Sequence, residues 1–111
     1  MKAPVDLTNL REMTGGDGAL EQTLFEEFYV YFEGGIRALQ SACAAGADEE
    51  WRKQMHALKG IALNLGAYPL SELCKQAEEN YLSPRALKER MIPAIHTEYK
   101  RVSDFLKNSA A

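Results

Sequence analysis

Apolar residues recur at intervals of three and four along most of the chain, and no stretch alternates with the period of two that marks a strand. Leu7, Leu10 and Met13 predict a short first helix, with Asp6 or Thr8 available as its cap. The cluster Thr14-Gly15-Gly16-Asp17-Gly18 ends it. Asp17 can then cap a longer helix carrying Leu20, Leu24, Phe28, Tyr31 and Phe32, with Phe25, Tyr29 and Val30 widening its stripe. Gly34-Gly35 interrupts this pattern before Ile36, Leu39 and Cys43 resume it, so two helices or one kinked helix ending near Gly46 are expected.

The next helix is capped by Asp48 and passes through Trp51, Met55, Leu58, Ala62 and Leu65, with Gly66 suited to the left-handed position that closes a helix. Beyond Tyr68-Pro69, the positions Leu70, Leu73, Cys74, Ala77 and Tyr81 carry the period onward until Ser83-Pro84 breaks it. A last helix bears Leu87, Met91, Ile95, Tyr99, Val102 and Leu106; Pro93 inside it lacks a backbone donor, which predicts a kink or a break. Stripes of this kind with short connections predict an all-α fold, an antiparallel four-helix bundle with short extra N-terminal helices, as a single domain over residues 1–111.

Composition narrows the function by exclusion. With 46% hydrophobic and 26% charged residues the chain is an ordinary globular sequence, and a net charge of −3 argues against the broad basic surface of a nucleic-acid binder. No apolar run reaches the ~18 residues of a membrane span, and the first six residues lack the apolar segment of a secretory signal. A cytoplasmic monomer without a membrane partner is therefore expected. Cys43 and Cys74 belong to no Cys-x-x-Cys or Cys/His spacing, so both read as reduced core thiols and no metal site is expected.

Projection of residues 48–65 at about 100° per residue separates two faces. Trp51, Met55, Leu58, Ala62 and Leu65 occupy an arc of roughly 80° opposite His56. The His56 face collects Arg52 and Lys53 one turn earlier, Lys59 and Gly60 one turn later, and Leu63 two turns later. A histidine pointing away from a filled apolar face is solvent-accessible. Three cations around it disfavour the protonated imidazole, leave a neutral nucleophilic nitrogen, and can balance charge on an attached phosphoryl group. Gly60 is disfavoured by about 1 kcal/mol against alanine in a helix interior, and the missing side chain leaves room for a bulky incoming active site. Leu63 is expected as an exposed docking contact, with Arg52 and Lys53 as further docking candidates. His96 has no ligand or base beside it and reads as an ordinary surface residue.

The run from His56 to Ala67, His-Ala-Leu-Lys-Gly-Ile-Ala-Leu-Asn-Leu-Gly-Ala, closely resembles the signature of histidine-containing phosphotransfer (HPt) domains, His-x-Leu-Lys-Gly followed by a Gly-Ala pair. Leu10, Gly16-Asp17, Leu70, Cys74 and Glu78 also fall where that family's pattern places them. Ile61 and Leu63 depart from it, being larger or less polar than is common there. The resemblance implies that His56 is phosphorylated on the ring nitrogen farther from the backbone, that Lys59 contacts the phosphoryl oxygens, and that Gly60 permits close approach. It also implies that the opening helices help form the partner surface, which would give Phe25 and Tyr29 a docking use.

Neither an acidic metal cluster nor a phosphate-cradling glycine loop is visible, so the chain is expected to have no cofactor of its own and no autokinase activity. Magnesium and most catalytic groups would come from the receiver domain of a hybrid histidine kinase, and a response regulator would take the phosphoryl group away. A helical adaptor without phosphorylation is the alternative from another class. An enzyme using His56 as general base would need an orienting carboxylate, and Glu49, on the same helix, is two turns away.

Overall fold

A computed structural model of the chain describes residues 3–109 as five helices: α1 (Thr8–Thr14), α2 (Gly18–Ala45), α3 (Asp48–Leu65), α4 (Tyr68–Glu79) and α5 (Arg85–Ser109), with no strand among these residues. Helix α2 packs against α3 and α5, and α4 closes the ring by packing against the same two. Residues 46–47, 66–67 and 80–84 are all that connect these four helices, and links so short make successive helices run antiparallel. Only one short extra helix, α1, lies outside the bundle, against α2, where several were expected.

The ends of the helices follow local chemistry. Asp17 accepts from the backbone N–H groups of Ala19 and Leu20 and so caps α2. Gly46 and Gly66 close α2 and α3 in the left-handed region, at φ 64° and 91°. Gly66 is constrained a second time, because Asp6 N–H donates to its carbonyl at 2.9 Å and a Cβ there would collide with the Asp6 carbonyl oxygen. The N-terminal strap with buried Val5 and Leu7 thus lies across the turn that ends the His56 helix. Asp48 does not cap α3. It is the first helical residue, Ala47 holds the cap position without a side-chain bond, and the Asp48 carboxylate takes the ammonium of Lys88 instead. Lys88 is buried, and its ammonium also lies over the Trp51 ring, 5.3 Å from the centroid.

The core stripe of α2 runs Phe25, Phe28, Phe32, Ile36, Leu39 and Cys43, while Leu20, Val30 and Tyr31 are exposed. That helix carries more apolar residues than one face can bury, and packing selected the stripe that continues unbroken into Ile36 and Leu39. Phe25, expected at a docking surface, is only 2% exposed and belongs to the core. Met13, expected in the α1 stripe, is exposed, and so is Leu87 on α5. Of the kink or break expected at each place, the break does not occur: α2 is continuous through Gly34-Gly35, and α5 is continuous through the exposed Pro93, where solvent can hydrate the carbonyl left without a partner. The Phe32 and Tyr99 rings stack at 5.0 Å and 2°, joining α2 to α5, and the Tyr99 hydroxyl donates to Glu33 at 2.6 Å. Burial and then the bond to Glu33 raise the pKa of that hydroxyl, so it remains a donor.

Candidate functional site on helix α3

Helix α3 divides as its periodicity requires. Trp51, Met55, Leu58 and Ala62 are fully buried and Leu65 nearly so, while the His56 side chain is 69% exposed on the other side. Two cross-helix hydrogen bonds set the register between α3 and α4. The Trp51 indole N–H donates to the Ala77 carbonyl at 3.0 Å, and the Ser71 hydroxyl donates to the Lys59 carbonyl at 3.2 Å. Along α3 these two bonds fall on either side of His56.

Glu78 is the functional-site residue to which sequence reasoning gave no role. Its Oε2 lies 3.0 Å from His56 Nδ1 and its Oε1 lies 2.8 Å from Lys59 Nζ, the latter an ion pair outside the angles of an aligned hydrogen bond. Lys59 first and His56 second hold the Glu78 carboxyl below the usual carboxylate range, against the opposing effect of partial burial. An ionised carboxylate can only accept, so Nδ1 carries a proton, and in the neutral ring it is Nε2 that has the lone pair. A signal for this residue was present in the sequence. Glu78 and Glu79 end α4 with no cation in its last turn, where the helix dipole disfavours anions, so a cationic or hydrogen-bonding partner from another element is called for.

The other expected residues divide between the site and its surroundings. Lys59 is at the site, half-buried and paired to Glu78. Gly60 is beside it, and a Cβ there would meet nothing within 4 Å. Leu63 is exposed at 52%, and Lys53 is exposed one turn before His56. Arg52 is committed elsewhere, its guanidinium held by Glu49 at 2.8 and 3.0 Å and lying over the Tyr81 ring. To the expected three cations the structure adds carboxylates: two of the cations are paired with them, and the imidazole itself faces one. Phe25 contributes nothing to this surface. Cys74 stays a thiol, its pKa pushed up to about 12 by burial.

A model of the Hpt domain family matches residues 20–105, most of the chain and all of the helix that carries His56. The chain belongs to the Hpt domain family. Among solved structures this Hpt protein is similar to histidine-containing phosphotransfer protein B (HptB) from Pseudomonas aeruginosa PAO1, at 25% identity and a TM-score of 0.80. That alignment covers 99% of this chain and 96% of the other. No curated protein matches it. The Hpt assignment makes it a histidine phosphotransfer protein of phosphorelays, a carrier that works with receiver domains. Among the described residues no three His, Cys, Asp or Glu side chains gather as a metal site, and no helix is long and apolar enough to cross a membrane.

Proposed function

We propose that His56 is the phosphoryl acceptor, that the group arrives from a phospho-aspartyl receiver domain of a hybrid sensor kinase, and that it passes reversibly to a receiver aspartate of a response regulator. The observation that carries this reading is the pairing of Nδ1 with Glu78, which leaves Nε2 of an exposed imidazole as the nucleophile beside Lys59. In-line transfer demands close approach, and the open space over Gly60 accommodates it. Magnesium, the acyl-phosphate leaving group and most of the transition-state stabilisation belong to the receiver; Lys59 supplies one cation for the phosphoryl oxygens. Leu63 and Lys53, both exposed on the same face, are the docking contacts of this reading, and Arg52 borders them.

The test is incubation of the wild type and of His56→Gln with a labelled phospho-receiver and magnesium. Acid-labile, alkali-stable label on the wild type and none on the variant is the expected result, with no label from ATP alone. Absence of label from several receivers would replace this reading with that of a helical adaptor.

A further inference from the structure

We propose that the cleft between α2 and α5 is a binding site for a small hydroxylated phosphomonoester, of the size of a sugar phosphate or a nucleoside monophosphate. The observation behind it is a cavity of about 470 Å³ lined by Arg37 from α2 and by His96, Lys100 and Lys107 from α5. None of these four side chains forms an ion pair among the described residues, whereas Arg11, Arg52, Lys59, Arg85, Lys88 and Arg101, all outside the cleft, each hold a carboxylate. The volume falls within the roughly 300–1,000 Å³ of small-molecule sites.

The packing order puts this cleft diagonally across the bundle from the α3–α4 seam that holds His56. Helices α2 and α5 run antiparallel, with the Phe32 ring stacked on that of Tyr99. Arg37 follows Phe32 on α2 and His96 precedes Tyr99 on α5, so the two stand at nearly the same level, with Lys100 one turn along from His96. Lys107 lies farther along, its ammonium 5.6 Å from the centre of the Tyr29 ring. Helix α5 is the cationic pole of the molecule, carrying six Lys and Arg side chains against three carboxylates in a chain whose net charge is −3. Nothing in this placement depends on the reading of His56 as acceptor.

The donor set suits a phosphate. Arg37 offers a planar fork, Lys100 an ammonium and His96 a ring N–H, which together match the several acceptor oxygens of a phosphomonoester. Ser103 lines the same cavity while only 8% exposed, and its hydroxyl makes no hydrogen bond among the described residues. Two carboxylates share the cleft: Glu33, whose Oε2 accepts from the Tyr99 hydroxyl at 2.6 Å, and Asp104. They decide which anion fits. An acidic peptide carries its charge along its whole length and would set carboxylates against both of them, where like charges repel. A phosphomonoester gathers its charge at one end, so its phosphate meets the cations while its hydroxyls donate to Asp104 and to the second oxygen of Glu33. Ile36 gives the carbon skeleton an apolar wall.

The test titrates nitrogen-15-labelled protein with ribose 5-phosphate, adenylate, inorganic phosphate and a hexaglutamate peptide at matched ionic strength, following the backbone amide resonances. Saturable shifts with either phosphomonoester are expected around Arg37, Lys100 and Ser103 and not around His56, with affinity about tenfold or more above that for inorganic phosphate. Arg37→Gln and Lys100→Gln, both at exposed positions, should each weaken binding about tenfold, while Lys75→Gln on α4 leaves it unchanged. The His56→Gln protein should bind as tightly as the wild type, which keeps this result separate from the question of phosphoryl transfer. Absence of saturable shifts at millimolar ligand, equal affinity for inorganic phosphate, or an unweakened Arg37→Gln and Lys100→Gln pair would overturn the site. Preference for hexaglutamate would replace the ligand with an acidic segment of a protein, and shifts centred on His56 would move the anion to Lys59; either result overturns the proposal.

Discussion

Two glycines in the interiors of neighbouring helices, Gly35 on α2 and Gly60 on α3, face opposite environments. A Cβ on Gly35 would lie 2.5 Å from Leu58 Cδ2 and 3.0 Å from Gln54 Nε2, in a seam where Leu58 is fully buried. A Cβ on Gly60 would meet nothing within 4 Å. Each glycine is disfavoured by about 1 kcal/mol relative to alanine in a helix interior. Packing within the chain accounts for the first. Nothing inside the molecule accounts for the second; under the proposed function, its position one turn from His56 leaves room for an approaching receiver. A glycine that packing requires and a glycine that packing leaves free are indistinguishable in sequence and separate at once in the structure.

Substitution should pull the two apart. Gly35→Val forces side-chain atoms into the α2–α3 seam, and overpacking of this kind costs about 1–3 kcal/mol; urea denaturation should move to lower midpoint while transfer per folded molecule stays unchanged. Gly60→Ala should do the reverse. It should stabilise α3 by about 1 kcal/mol and slow phosphoryl transfer with a receiver by about tenfold, equivalent to about 1.4 kcal/mol of lost transition-state stabilisation. Should Gly60→Ala transfer at the wild-type rate, the contrast between the two positions would lose its functional half.

The seam that carries Glu78 offers a finer probe. Trp51→Phe keeps most of the buried ring but removes the donor to the Ala77 carbonyl, at a cost of about 1 kcal/mol. Loosened register at the end of α4 should also appear as a shift of the His56 ring nitrogens, although Trp51 never touches that ring. The smallest expected effect is in the pH dependence of stability. Glu78 has its folded pKa below its unfolded value, so its pairing stabilises the fold above the ordinary glutamate range and that contribution disappears as pH falls through the lowered folded value. Thermal melts of the wild type should therefore lose more between pH 6 and pH 3.5 than those of Glu78→Gln, by a few tenths of a kcal/mol given the partial exposure of the pair.

Much of this was legible from the chain alone, for a definite reason. Helical period belongs to one helix at a time, so the buried set Trp51, Met55, Leu58, Ala62 and Leu65, the outward aim of His56 and the capping by Asp17 needed no neighbour to be read. The signature from His56 to Ala67 is equally local, and its glycine before the final alanine has its physical reason in the left-handed turn at Gly66. Excess apolar residues were harder. On α2 the period admits adjacent stripes, and only contact with α3 and α5 determined that Phe25 is core while Tyr31 is surface. Gly34-Gly35 and Pro93 likewise lower helix propensity without ending a helix that its neighbours hold in place.

What the sequence by itself determined, then, is the all-helical class, the inward face of α3 and the exposed histidine, because these follow from spacing and propensity along one backbone. The tertiary structure alone decided which charged groups surround that histidine. Glu78 stands 22 positions from His56 and reaches its Nδ1 only because α4 folds back along α3, with Trp51 and Ser71 bonding across the seam. Arg52 and Lys59, equal cations on a helical wheel, end with different partners for the same reason. Periodicity gives the direction in which a side chain points, and only the packing of a second helix determines what stands there to meet it.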